Sequence, residues 1–177
     1  MRRNENILIR GKPRSGKSTL IQKSVNLFKQ KGKTIGGIIT PEIKEGRRRV
    51  GFEIVDMASG KRGVLSHVNQ REGPRISKYR VNLKDLNDIG VSAIKLALEK
   101  NADFIIIDEI GKMELVSNEF QDIVWEALDL KKVLGTIGQI SHPFVTKIYQ
   151  RNDLRIITLT PQNRDAIFEE LKSQFLE

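Results

Sequence analysis

Cysteine is absent from the 177 residues, which excludes disulfides, thiolate metal sites and a thiol nucleophile. Aromatic residues make up only 6% of the chain, and no basic strip is interleaved with them, which counts against base-stacking recognition of nucleic acid. Proline- or serine-rich tracts and internal repeats are missing too, so residues 1–177 are expected to form a single domain. Apolar runs such as Phe104–Ile107 are far too short to span a bilayer, and Met1–Glu5 leads into no apolar signal region. The expectation is therefore a cytoplasmic protein without a membrane partner. The only histidines, His67 and His142, are isolated, with no ligand-spaced partner to suggest a metal site.

Basic charge, by contrast, is plentiful and unevenly placed. The formal net charge is +9; residues 1–84 hold 21 basic and 6 acidic side chains, residues 85–177 hold 10 and 16. So basic a first half suits an anionic ligand, and both polyphosphate and nucleic acid qualify.

Gly11-Lys12-Pro13-Arg14-Ser15-Gly16-Lys17-Ser18 matches the phosphate-cradling pattern G-x-x-x-x-G-K-[ST] (Walker A), directly after the apolar run Ile7–Ile9. The two glycines permit a tight turn that aims backbone N–H groups at an anion held at the start of the next helix. Lys17 is placed to reach the β- and γ-phosphates. Ser18 is placed to ligate Mg2+, and Thr19 lies near the α-phosphate.

Periodicity predicts a strand at 6–10, a helix at 17–31 and a strand at 34–39, in which Gly36-Gly37 implies close backbone approach. Ile43–Val55 alternates around a turn at Glu45-Gly46 and reads as an antiparallel hairpin, an insertion spanning roughly 41–66. Residues 66–77 read as loop and 78–83 as an edge strand. Helices at 85–100, 117–129, 142–150 and 161–175 then alternate with strands at 103–107, 132–137 and 154–159, and Thr160-Pro161 opens the last helix. Such alternation means a three-layer α/β fold on a mostly parallel sheet.

Phe104–Ile107 ends in Asp108-Glu109, as a central parallel strand delivering acid to its C-terminal tip would. Asp108 is the expected metal carboxylate. Glu109 is the expected group that positions and polarises the attacking water. Thr136 and Gln139, at the next strand tip, are candidate γ-phosphate sensors. Arg47-Arg48-Arg49 on the hairpin offer either an internal arginine finger or a solvated charge run, and Trp125 reads as core packing.

Several strings together resemble one family. They are Gly11–Thr19, Gly36–Glu42 leading to Gly46–Phe52, Ile107-Asp108-Glu109-Ile110-Gly111-Lys112-Met113-Glu114-Leu115, Leu134–Ile137, and Thr160 with Asn163-Arg164-Asp165. In this order they are similar to the RecA-like P-loop nucleoside-triphosphatases first described from thermophiles, whose animal members are called cancer-related nucleoside-triphosphatase. The resemblance implies slow Mg2+-dependent hydrolysis of ATP, GTP, CTP and UTP, and an extra strand between the phosphate-loop strand and the Asp108 strand. It also implies that Gly111 belongs to the nucleotide site, that Glu114 supports the catalytic loop, and that Asn163 and Arg164 lie near the base or ribose. Plain helix initiation explains Asn163-Arg164 equally well.

Two other functions share these features: a nucleoside or small-molecule kinase, and a nucleic-acid-stimulated ATPase suggested by the basic half. Nucleic acid is the less favoured partner because aromatics are so few.

Overall fold

A computed structural model describes residues 5–176; Met1–Asn4, on which part of the signal-region reading falls, lie outside the described residues. Among the described residues ten strands, numbered β1 to β10 in chain order, share one sheet in the order β10-β1-β9-β8-β2-β4-β5-β7-β6, with β3 paired to β4. The parallel part comprises β1 (Asn6–Arg10), β2 (Ile35–Ile39), β8 (Phe104–Ile110), β9 (Val133–Ile137) and β10 (Leu154–Thr158). β9 stands between β1 and β8, so the extra strand implied by the family resemblance is present.

Alternation within the buried strands sends side chains to two cores. Ile7, Ile9 and Ile106 meet α1 (Lys17–Gln30) and α6 (Arg164–Leu176), through Leu20, Val25 and Phe28 of α1 and Ile167 and Leu171 of α6. Leu8, Ile105 and Ile107 face α3 (Ser92–Glu99), α4 (Asn118–Asp129) and α5 (Pro143–Tyr149). The helices thus cover both faces, giving the three layers expected. At Gly36 an added Cβ would come within 2.4 Å of Ala97 Cβ, the close approach that the Gly36-Gly37 pair implied.

Beyond β2 the sheet turns antiparallel through β3 (Glu42–Glu45), β4 (Arg48–Asp56), β5 (Arg62–His67), β6 (Arg75–Ile76) and β7 (Tyr79–Val81). The hairpin is a continuation of the sheet, since β4 bonds directly to β2, and the antiparallel part runs on to Val81 rather than ending near 66. β7 lies inside β6, so it is not an edge strand. The helix expected at 85–100 starts earlier: the Asn82 side chain caps α2 (Leu83–Asp85), accepting from the Asp85 N–H, and a π-helical turn at Leu86–Val91 leads into α3.

Two boundaries bear on the site. β8 does not stop at Ile107 but continues past the carboxylates to Ile110, which pairs with Ile137 after a register irregularity. The last helix starts at Arg164, not at Pro161. Asn163 takes the capping position, its carbonyl accepting the Ile167 N–H, because its amide also closes the preceding turn, a role Thr160 cannot fill.

Candidate functional site

The loop Gly11–Gly16 joins β1 to α1, so its N–H groups gather at the N-terminal end of a 14-residue helix. Gly16 is the N-cap of α1 at φ 98°, and Arg14 also adopts a left-handed conformation, φ 64°. Lys17 lies across the loop and donates to the carbonyls of Gly11 (2.9 Å) and Lys12 (3.1 Å). Lys12, Pro13, Arg14, Ser18 and Thr19 are exposed, whereas Ser15 is buried with no hydrogen-bond partner for its hydroxyl.

The carboxylates come from the middle of the sheet. Asp108 is buried in β8, where the fully buried Thr136 of β9 donates its hydroxyl to Oδ1 at 2.5 Å, and the Thr40 hydroxyl donates to the Asp108 carbonyl at 2.9 Å. Ser18, at the start of α1, is near enough to the same carboxylate to lower its pKa. Burial raises the Asp108 pKa above the usual carboxylate value, and the hydrogen bonds from Thr136 and Ser18 and the Lys17 charge pull it back down. Glu109, joined to Asp108 by a cis peptide bond, is half-buried; burial raises its pKa, the Asp108 charge adds to the rise, and Lys17 opposes it.

A third acid completes the cluster. Glu114 opens a 3-10 turn, Glu114–Val116, and is buried. Its pKa is pushed well above the ordinary value, first by burial and then by the Glu109 charge, against backbone N–H groups at Glu114 itself and at Gly111. Gly111 is glycine for space: a Cβ there would lie 2.6 Å from Glu109 Oε1 and 3.0 Å from Glu114 Oε2. Lys112 is exposed, and Met113 Sδ accepts from the Ser66 hydroxyl of β5 at 3.0 Å.

Two further expected residues reach the loop from α6. The Arg164 side chain lies on Gly16, where a Cβ would meet its Cδ at 2.8 Å and Nη1 at 3.0 Å. Asn163 bonds only within its own segment, as described for the helix start.

Other candidates are placed differently. Thr136 is turned to Asp108, and Gln139 is exposed. Arg49 stacks on Phe52 and bonds Tyr79 Oη and Glu42, so it is engaged within the hairpin, while Arg47 and Arg48 are exposed at its tip. His142 Nδ1 caps α5 by accepting from Phe144 N, and His67 Nδ1 accepts from Asn69 N. Trp125 is half-buried, between Phe144 and the cations of Lys147 and Arg151. Sequence reasoning did not foresee that the Thr136 and Thr40 hydroxyls both bond Asp108; a hydroxyl one strand away from a buried acid leaves no signal in one dimension.

A glycine-bend lysine and hydroxyl at a helix N-terminus, meeting paired acids on a strand one removed from its own, define a P-loop nucleotide-binding domain. The comparisons agree. The family model described as NTPase matches residues 6–172. Nucleoside-triphosphatase THEP1 of Thermotoga maritima is 43% identical over 168 residues, covering 94% of this chain and 93% of the relative. The protein of the same name from Methanothermobacter thermautotrophicus is 43% identical over 162 residues, covering 92% and 91%. Among solved structures, THEP1 from the hyperthermophile Aquifex aeolicus superposes with a TM-score of 0.84 at 32% identity, covering 97% of this chain and 99% of that one. A human cancer-related nucleoside triphosphatase gives 0.78 at 32% identity, covering 96% of each chain. The chain belongs to the NTPase family.

No helix among the described residues is long and apolar enough to cross a membrane.

Proposed function

We propose that the chain hydrolyses nucleoside triphosphates, ATP, GTP, CTP and UTP among them, to the diphosphate and phosphate, with water as the acceptor. The observation that carries this is the convergence of Lys17 and Ser18 from one end of the chain with Asp108 and Glu109 from its middle. The relatives' names point to the same reaction.

The donor set fits Mg2+: a buried carboxylate with a serine hydroxyl nearby offers hard oxygen ligands without sulfur or imidazole. Ser18 and Asp108 would hold the ion. Bound there, it would neutralise charge on the β- and γ-oxygens.

The protein's own groups do the rest. The N–H groups of Gly11–Gly16 cradle the tail, and Lys17 leaves the Gly11 and Lys12 carbonyls for the γ-phosphate. Glu109 orients the attacking water and takes its proton; burial and the neighbouring Asp108 raise its pKa, the direction that makes a carboxylate a stronger base. Glu114, buried behind Gly111, holds the Asp108–Glu114 loop in place. The same reading puts the protein in the cytoplasm, with its substrates.

Glu109→Gln tests the assignment. Turnover is expected to fall at least about 100-fold, with nucleotide affinity within about threefold of the parent. Hydrolysis at the parent's rate would remove Glu109 from its role. Phosphate release with no acceptor other than water separates the hydrolase from a kinase.

A further inference from the structure

Arg164 and Asn163 are neighbours at the start of α6, yet the structure gives them opposite circumstances. The Arg164 side chain lies on Gly16, the residue that opens α1 and whose N–H belongs to the phosphate-cradling set. Among the described residues no carboxylate pairs with it; the ion pairs formed by α6 use Arg155 with Glu170 and Lys172 with Glu169. An unneutralised guanidinium beside a phosphate cradle has a fixed charge and a planar fork of donors suited to phosphate oxygens.

Asn163, the residue best equipped to read the donor and acceptor edge of a base, has both ends of its amide engaged with its own backbone segment. Its Oδ1 accepts from Thr160 N at 2.8 Å, and its Nδ2 donates to the Thr158 carbonyl at 2.9 Å. The Thr158 hydroxyl accepts from Arg10 Nε at 3.0 Å. Gln162 is exposed, and no hydrogen bond orients it. Strong discrimination between bases requires preorganised polar groups that the wrong base would leave unpaired. Among the described residues of the β10–α6 segment, the Asn163 amide is committed to Thr158 and Thr160, and Gln162 is exposed.

We propose that Arg164 grips the α- and β-phosphates over the phosphate loop and that Asn163 only shapes the turn that presents it, so binding strength comes from the tail and not from the base. The inference rests on the nucleotide reading above and adds what Arg164 touches. Arg164 is a binding and positioning residue: the guanidinium holds the α-phosphate end still while the γ-phosphate is attacked.

The test compares the parent, Arg164→Ala and Arg164→Lys. KM and kcat are measured for ATP, GTP, CTP and UTP, and inorganic tripolyphosphate, which has no base, serves as a competitor of bound ADP. Arg164→Ala is expected to raise KM about tenfold or more, the size of one lost charge-assisted contact. The factor should be equal within about twofold for the four bases, the inhibition constant of tripolyphosphate should rise by the same factor, and lysine should restore part of the loss. Arg164 is exposed, so the variants should melt with the parent. A rise confined to purines, or an unchanged tripolyphosphate constant, would overturn the proposal in favour of stacking on the base; unchanged constants throughout would remove Arg164 from the site. Should the parent hydrolyse no triphosphate, the hydrolase reading would fall, while the tripolyphosphate arm would still report on Arg164.

Discussion

Thr136→Val removes one hydroxyl from the interior and changes little else, since valine nearly matches threonine in shape. The hydroxyl is fully buried and donates at 2.5 Å to Oδ1 of Asp108, whose carboxylate also meets Ser18 and lies near Lys17. A hydrogen bond to a charged group contributes about 1.5–3 kcal/mol. That bond favours the ionised carboxylate, the form a metal needs, so its loss should raise the Mg2+ concentration for half-maximal turnover by about 10–100-fold. The pH dependence has a definite sign. The Thr136 bond lowers the Asp108 pKa against the rise caused by burial, so its stabilisation is present where Asp108 is ionised and disappears as falling pH protonates it. Thermal unfolding of the metal-free proteins should therefore show a deficit for the variant at pH 8 that shrinks as falling pH protonates Asp108. The decisive assay is a Mg2+ titration of phosphate release at saturating ATP, with kcat recovering at high Mg2+. An unchanged half-maximal concentration would refute the idea that Thr136 tunes the metal carboxylate.

Glu114→Gln should make the metal-free protein more stable at pH 8 and leave it unchanged near pH 4. A carboxyl with a raised folded-state pKa is disfavoured when ionised, so the parent loses stability as pH rises from the unfolded value through the folded one, and glutamine abolishes that slope. A melting-temperature difference independent of pH would contradict the burial argument. Asn6→Ala should cost about 1–3 kcal/mol or more in denaturant unfolding, because the buried Asn6 amide donates to the Leu128 carbonyl (2.7 Å), which keeps a second bond from Lys131 N, and accepts from Val133 N (3.1 Å), which loses its partner. A loss below about 1 kcal/mol would show that water replaces both bonds.

The parts of the site legible in sequence were those written in consecutive residues. β1, the glycine bend and α1 announce themselves because an apolar run, two glycines and a helical period adjoin. Asp108-Glu109 stood out because four buried apolar residues precede them. Strand order was beyond periodicity, which knows nothing of β9 entering between β1 and β8; only the family resemblance implied it. The continuation of β8 through Ile110 was hidden for a related reason: two acids interrupt the apolar run, and the pairing of Ile110 with Ile137 is a tertiary fact. At the start of α6, Thr160-Pro161 and Asn163 were rival caps, and the turn closed by the Asn163 amide settled the competition. Thr136, three residues into an apolar strand, could acquire its role only when β9 was laid beside β8.

The account stands on Ser18 and Asp108 sharing one divalent ion, and a double-mutant cycle reads that directly. Mg2+-ADP affinity, measured by titration calorimetry for the parent, Ser18→Ala, Asp108→Asn and the double variant, should give losses that fail to add, with a coupling of about 0.5–3 kcal/mol. Fully additive losses, or an Mg2+-ADP affinity that neither change alters, would mean that the two groups do not serve a common ion.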